Sequence, residues 1–252
     1  MKIIKWEQLP LEMQNGNVQK YYEILEKKKV SLYFKRAFDL IASIIMLVIL
    51  LPIFFILAIA IKIDSPGPVF YRQERVTQYG KKFRIHKFRT MVQDADHGSQ
   101  VTLNNDCRIT KVGKIIRNCR LDEIAQLLDV ISGSMTLVGV RPESPKYVAV
   151  YTDEMMATLL LPAGVTNLAS IYYKDEAKLL DGVEDPDKTY VEKILPGKMH
   201  YNLKGVEQFS FLGDLRIMFM TLMAILGMKY KVDHIESLER NRNDRVEEEN
   251  KV

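Results

Sequence analysis

The sequence predicts an α+β membrane protein, in which a long apolar helix is joined to a small mixed domain. Three observations predict this class: an unbroken apolar run, alternating strands after it, and amphipathic segments with helical periodicity further along. The composition is 47% hydrophobic and 27% charged over 252 residues, so collagen-like, low-complexity and wholly disordered chains are excluded. The net charge of +4 is too small to indicate a nucleic-acid partner, and none is expected.

The chain begins with a charged extension over residues 1–34, predicted to be peripheral and helical from Val18 to Val30. The apolar run follows from Leu40 to Ile61, with Ser43 as its only polar side chain. A helix needs about 20 apolar residues to cross a bilayer, and a buried helix seldom stays apolar on every face. A cleaved signal peptide fits poorly, because the run starts late and lacks a cleavage site. The run therefore predicts insertion into a membrane.

Pro52 lies near the middle of this run and predicts a kink, because proline removes a helix hydrogen bond and clashes with the carbonyl four residues back. Basic residues, which prefer the cytoplasmic side, flank both ends: Lys35 and Arg36 before, Lys62 and a cluster over residues 72–89 after. A re-entrant hairpin over residues 35–63 satisfies both flanks. A kinked single span with the N-terminus outside is the alternative, and the residues themselves leave both open.

The mixed domain is predicted over residues 64–228. A turn signal at Ser65–Pro68 precedes alternating strands at Pro68–Tyr71 and Phe83–Phe88. Residues 151–205 mix short helices with proline and glycine breaks.

The end of the domain, residues 211–228, is a second apolar stretch, interrupted by Asp214 and Arg216 and too short for a comfortable span. We expect it to lie in the membrane interface with its apolar side down, rather than to pack as a core helix. The charged tail over residues 229–252 is predicted to be solvated.

Several chemistries lack support in the sequence. No nucleotide-binding glycine loop, dinucleotide fingerprint or nucleophile elbow occurs. The histidines show no metal-ligand spacing, and Cys107 and Cys119 are too few for a disulfide framework or a four-cysteine zinc site. Both thiols are expected to be reduced, as in a cytoplasm.

A carboxylate pair surrounded by cations remains. An amphipathic helix is predicted to begin near Asp122, so that Asp122 and Glu123 lie in its first turn, where the helix dipole favours negative charge. Such carboxylates can attack phosphorus or bind Mg²⁺, but acidic residues at a helix start are also ordinary caps. The residues predicted to face the core are Leu121, Ile124, Leu127, Leu128 and Ile131.

Arg141 follows a short apolar strand flanked by Gly133 and Gly139, and Pro142 comes directly after it. This pattern predicts an arginine on a rigid turn, where its planar fork would suit a phosphate. A surface arginine after a strand fits the same pattern.

The order of these segments resembles that of the bacterial sugar transferases, the monotopic phosphoglycosyl transferases. The resemblance covers residues 31–228. It rests on KRAFDL, the apolar run with its central proline, SPGPVFYRQERV, FRIHKFRTM, RLDEIAQLLDVISGSMTLVGVRPE and SFLGDLRIMFMT. The resemblance implies a re-entrant helix–break–helix bent at Pro52, a small mixed catalytic domain, interfacial amphipathic helices and a site at the cytoplasmic face of the bacterial plasma membrane.

The resemblance also implies an activity. Such enzymes transfer sugar-1-phosphate from a UDP-sugar to undecaprenyl phosphate and release UMP, the first membrane step of glycan or exopolysaccharide biosynthesis. By resemblance, Asp122 is the nucleophile of a covalent intermediate and Glu123 the Mg²⁺ ligand beside it. Arg117 and Arg141 match phosphate-contacting arginines, and Lys87 and Arg89 match a basic strand near the site. The expected partners are the two substrates, membrane lipid and Mg²⁺, and a homodimer is an open alternative to a monomer.

Two segments depart from the family pattern. Residues 161–171 lack its tryptophan, glutamine and arginine, and Asn202 stands where an acidic residue is common. Three rival classes stay open: a membrane-anchored Mg²⁺-dependent phosphatase or phosphodiesterase, a conventional glycosyltransferase that releases UDP, and a non-catalytic membrane anchor.

Overall fold

A computed structural model describes residues 1–93, 107–173, 180, 183 and 185–225 of the chain. The charged tail over residues 229–252 and the last part of the stretch 211–228 lie outside these residues. The helices and strands are α1 (Gly16–Lys27), α2 (Lys29–Asp64), β1 (Phe70–Val76), β2 (Lys82–Phe88), α3 (Lys111–Asn118), α4 (Leu127–Ser132), β3 (Met135–Val138), α5 (Pro145–Val148), β4 (Ala163–Thr166), α6 (Leu168–Tyr172), α7 (Pro186–Thr189), α8 (Leu195–Glu207) and α9 (Phe211–Ile225).

Helix α2 is the one helix in the described part of the chain that is long and apolar enough to cross a membrane. Only 11% of its most apolar stretch is buried, and Ile49 and Ile56 are 68% and 65% exposed. A core helix of a soluble protein would bury these side chains, so the exposed face indicates contact with lipid. The helix continues through Pro52, so this residue lies inside one helical element rather than at a helix end.

Both ends of α2 are attached to the mixed domain. At the N-terminal end, the Arg36 guanidinium donates hydrogen bonds to the carbonyl oxygens of Val130 (2.7 Å) and Ile131 (3.2 Å). At the C-terminal end, the Asp64 carboxylate accepts a hydrogen bond from the backbone N–H of Val112 (3.0 Å). Between these anchors, one stripe of the helix packs on the domain and the opposite stripe is exposed.

Helix α9 also has two different faces. Asp214 pairs with the buried Lys35 of α2 (2.6 Å), and Met220 is buried on the same helix. Leu212, Phe219 and Leu222 are exposed. The interruption of this apolar stretch by Asp214 is therefore explained by an ion pair with α2.

The N-terminal extension is part of the core. Helix α1 begins after Asn15, whose side chain accepts a hydrogen bond from the Val18 N–H (3.0 Å), and it buries Tyr22 and Leu25. Residues as early as Met1 belong to the same hydrophobic cluster as Leu160, Val206 and Phe209 of the mixed domain. The expectation of a peripheral segment over residues 1–34 is therefore corrected, because its apolar side chains pack across the domain.

Two small sheets frame the site. Strands β1 and β2 form an antiparallel hairpin in which Tyr71 lies opposite Lys87, in agreement with the strand predicted at Phe83–Phe88. Strands β3 and β4 are parallel neighbours, and β3 is the short apolar strand predicted between glycines. A Cβ on Gly164 would lie 2.1 Å from the backbone nitrogen of Gly139, so only glycine allows this approach.

Candidate active site

The two acidic residues lie on a 3₁₀ turn, Leu121–Gln126, that precedes α4. Arg120 precedes this turn in the left-handed conformation (φ 53°), between α3 and the two acidic residues. A 3₁₀ turn has three residues per turn rather than 3.6, which rotates the following side chains. The predicted core face is confirmed for Leu127, which is buried, and for Leu121 and Ile124, which are partly buried and pack against the hydrophobic cluster that contains Ala125. Leu128 and Ile131 are only partly buried. The residues buried with Leu127 are Ala125, Gln126, Asp129 and Val130.

Glu123 is held by two of the predicted cations. Arg141 donates a hydrogen bond to its Oε1 (2.5 Å), and the Lys87 Nζ lies 3.6 Å from the same oxygen. Burial alone would raise the pKa of Glu123, but the charges of Arg141 and Lys87 outweigh it and hold the pKa far below its usual range. Glu123 is therefore a fixed negative charge in this site.

Asp122 has the opposite electrostatic character. Burial and the neighbouring Glu123 charge raise the pKa of Asp122, and the charges of Lys87 and Arg117 oppose them. Arg117 thus acts on Asp122, as Arg141 acts on Glu123. Two adjacent carboxylates whose pKa values are driven apart are suited to different chemical roles.

Lys87 completes this group from strand β2. Burial lowers the pKa of its ammonium, and the Glu123 charge opposes that effect. The structure therefore brings together five of the six residues that the sequence singled out: Lys87, Arg117, Asp122, Glu123 and Arg141.

The sixth residue, Arg89, is placed differently. Its guanidinium is buried and donates hydrogen bonds to the carbonyl oxygens of Pro66 (2.6 Å) and Ser65 (2.7 Å) and to the Ser65 hydroxyl (3.0 Å). Arg89 thus connects the end of β2 to the turn that follows α2, and its contact with the substrate stays a prediction. An arginine in the FRTM motif is therefore as compatible with a contact to the turn as with a contact to a phosphate.

The loop that carries Arg141 is fixed from two sides. Gly164 of β4 donates its N–H to the carbonyl oxygen of Val140 (2.7 Å), and the Asn167 amide donates to that of Gly139 (3.1 Å). Arg141 therefore leaves the carboxyl end of a parallel strand pair, at the edge where ligands commonly bind in parallel sheets.

Sequence reasoning missed a buried network behind Arg141. The Tyr190 hydroxyl donates to Glu143 Oε1 (2.6 Å), and Lys198 Nζ lies 3.3 Å from that oxygen and donates to the Tyr190 hydroxyl (2.8 Å). Burial would raise the pKa of Glu143, but Lys198 and the Tyr190 hydrogen bond lower it. Tyr190 begins a π-helix, Tyr190–Ile194, an irregularity often found at functional sites. No local pattern announces these partners, because they lie 47 and 55 residues from Glu143.

The described residues hold no cluster of three or more histidine, cysteine or acidic side chains that would form an all-protein metal cage. Mg²⁺ does not need one, since it is usually bound by one or two carboxylates together with substrate phosphates. The donor set of Glu123 beside Asp122 therefore fits this metal. Cys107 and Cys119 are free and exposed.

Fold and site together define a membrane-associated protein whose paired carboxylates lie among lysine and arginine side chains, a class suited to phosphate chemistry. Residues 30–228 match the family described as bacterial sugar transferase, and the chain belongs to that family.

Named relatives agree with this assignment. The chain is 33% identical over 198 residues to the UDP-N-acetylgalactosamine-undecaprenyl-phosphate N-acetylgalactosaminephosphotransferase of Aeromonas hydrophila, covering 77% of this chain and 44% of that protein. It is 30% identical over 198 residues to the UDP-glucose:undecaprenyl-phosphate glucose-1-phosphate transferase of Escherichia coli (strain K12), covering 77% of this chain and 40% of that protein. It is 34% identical over 209 residues to the exopolysaccharide production protein PSS of Rhizobium leguminosarum bv. phaseoli, covering 78% of this chain and 97% of that protein. The chain spans less than half the length of the first two.

Proposed function

We propose that this protein transfers sugar-1-phosphate from a UDP-sugar to undecaprenyl phosphate and releases UMP, as the first membrane step of a bacterial glycan or exopolysaccharide pathway. The observation that carries the proposal is the pair Asp122–Glu123, in which Arg141 and Lys87 fix one carboxylate as an anion while burial raises the pKa of the other. The names of the relatives supply the substrate classes.

In this mechanism Asp122 is the nucleophile. Its carboxylate oxygen attacks the phosphorus that carries the sugar, and the bond from that phosphorus to the bridging oxygen of the diphosphate breaks, so that UMP leaves. A phosphate oxygen of the lipid then attacks the same phosphorus and frees Asp122. The raised pKa suits this role, because a more basic carboxylate is a better nucleophile once it is ionised.

The cations position and neutralise the diphosphate. Arg141 and Arg117 offer planar donors that suit phosphate oxygens, and Lys87 contributes a compact charge beside Glu123. Glu123 would hold Mg²⁺, which supplies charge neutralisation at the transferring phosphate when bound.

We further propose that α2 is re-entrant and that the site lies at the cytoplasmic membrane surface. The support is the attachment of both helix ends, through Arg36 and Asp64, to one domain. A straight span would separate its two ends by the roughly 30 Å of hydrocarbon. A bend at Pro52 would return the chain to the side on which a water-soluble nucleotide and a lipid phosphate can both arrive.

The test is nucleotide release by the detergent-purified full chain, supplied with undecaprenyl phosphate, Mg²⁺ and a panel of UDP-sugars. We expect repeated release of UMP with one of the sugars, and we expect this turnover to require the lipid, since without lipid the reaction stops after UMP is released once and the covalent intermediate has formed. The rate should fall about a thousandfold or more in Asp122→Asn, because the nucleophile is lost. The matched control is Asp153→Asn, which removes an exposed carboxylate and should release UMP at the normal rate.

Each rival class gives a different result. Repeated turnover to UMP without lipid would indicate a hydrolase, and UDP release would indicate a conventional glycosyltransferase. A folded protein that releases no nucleotide across the panel would contradict the proposed function and favour a membrane anchor. Intact-protein mass spectrometry without lipid should find the phosphosugar adduct on the wild type and not on Asp122→Asn.

A further inference from the structure

The face of the β1–β2 hairpin that carries Lys87 also carries an arginine, Arg75. Side chains alternate between the two faces of a strand, so Tyr71, Gln73 and Arg75 share a face with Lys87, which lies opposite Tyr71. Lys87 on this face reaches Glu123. Arg75 is therefore further along the same face, near the end of β1.

The end of β1 lies against the loop that follows Arg141. The Val76 N–H donates to the carbonyl oxygen of Glu143 (3.0 Å), which fixes residue 75 next to this loop. Electrostatic effects agree with the placement: burial lowers the pKa of Arg75, the Glu143 charge raises it, and the Arg141 charge lowers it. The Arg75 charge also lowers the pKa of Lys87.

Arg75 is not neutralised like the other buried charges. Its guanidinium donates a hydrogen bond to the neutral Gln73 side chain (2.5 Å), and within the described ranges it forms no ion pair with a carboxylate. Glu143, the acidic group whose charge acts on it, is already engaged by Lys198 and Tyr190. Partly buried cations placed close together repel each other and lose hydration, and a bound polyanion would relieve both costs.

We propose that Arg75 is a further substrate-binding residue, which forms with Arg141 an anion subsite for the diphosphate of the nucleotide donor. This inference rests on the proposed function. The bound diphosphate would lie between the hairpin face and the Arg141 loop. The cations around Asp122 and Glu123, which include Arg75, Lys87, Arg117 and Arg141, outnumber these two carboxylates, and the diphosphate would offset this excess of positive charge.

The test is calorimetric binding of UDP and of inorganic pyrophosphate to the full chain in detergent, with Mg²⁺ present. We expect Arg75→Gln to weaken both affinities about ten- to hundredfold, which is typical of a lost charge-assisted contact. Arg75→Lys keeps the charge without the fork and should recover part of the loss. The control is Arg84→Gln, an exposed arginine on the opposite face of the hairpin, which should bind as the wild type does.

Thermal stability separates binding from a packing role. Arg75→Gln should keep or raise the Tm, because Arg141 and Lys87 lose a like-charged neighbour. Affinities within twofold of the wild type, or a lower Tm with unchanged affinities, would overturn the inference. If the wild type binds pyrophosphate through Arg75 but does not bind UDP, the subsite stands and the nucleotide donor is wrong. If it binds neither, both proposals fail.

Discussion

The buried Glu143–Tyr190–Lys198 network gives the sharpest prediction about stability. In Glu143→Gln the Lys198 ammonium, which is 3% exposed, keeps its charge and loses its carboxylate partner at 3.3 Å. Removing one partner of a buried pair costs about 3–5 kcal/mol. We expect about 3 kcal/mol, since the Tyr190 hydroxyl (2.8 Å) and the new amide oxygen still face Lys198. For a domain of this size, that loss lowers Tm by about 6–12 °C.

The assay is thermal unfolding of the detergent-purified protein, for Glu143→Gln, Lys198→Met and the double variant. The double variant should be more stable than Glu143→Gln, because it no longer buries an ammonium that has lost its carboxylate partner. Tyr190→Phe should cost about 1.5–3 kcal/mol, because the lost hydroxyl is hydrogen-bonded to two charged groups, Glu143 and Lys198.

Acidification gives an independent check. Since the pKa of Glu143 is lowered in the folded protein, its stabilisation is complete above the unfolded value of about 4.3 and is lost as the pH falls through the folded pKa. The Tm gap between wild type and Glu143→Gln should therefore narrow in acid. A neutral-pH loss below about 1 kcal/mol, or a double variant less stable than Glu143→Gln, would refute the reasoning.

Three further predictions concern packing, the turn after α2 and the nucleophile. Gly164→Ala should lower the free energy of unfolding by about 3 kcal/mol or more, because its Cβ would meet backbone atoms of Gly139 at 2.1–2.4 Å. The control is Gly205→Ala, at a helical position where a Cβ would find nothing within 4 Å, and it should be neutral or slightly stabilising in the same unfolding assay. Arg89→Gln should lower Tm while leaving the KM for the UDP-sugar unchanged, because the hydrogen bonds of Arg89 go to Ser65 and Pro66. A raised KM at normal Tm would instead support the predicted contact between Arg89 and the substrate. The rate of UMP release should fall in acid, with an apparent pKa above the ordinary aspartate value of about 3.9, because the pKa of Asp122 is raised. A rate that falls only at or below that value would contradict the proposed environment of Asp122.

The sequence by itself determined the features that depend on local order. The apolar run, the hairpin strand at Phe83–Phe88, the glycine-flanked β3 and the adjacency of Asp122 and Glu123 are all readable from periodicity and residue type, and their order carried the family. The structure contains these features as predicted, because each of them depends on residues that are close together in the sequence. The buried Tyr22 and Leu25 show the limit: the helix that carries them was predicted, but not the surface on which it packs.

Tertiary structure decided which charges meet. Arg89 and Lys87 are two residues apart on one motif, yet Arg89 donates to Ser65 while Lys87 lies beside Glu123, because β2 ends at Phe88 and Arg89 follows it, next to the turn after α2. Glu143 finds Lys198 only because the chain folds back over 55 residues. The 3₁₀ turn at Leu121–Gln126 changes which side chains are buried, and helical periodicity assumes that no such turn exists. Local patterns fix which elements form, whereas partners distant in sequence are set by how those elements pack.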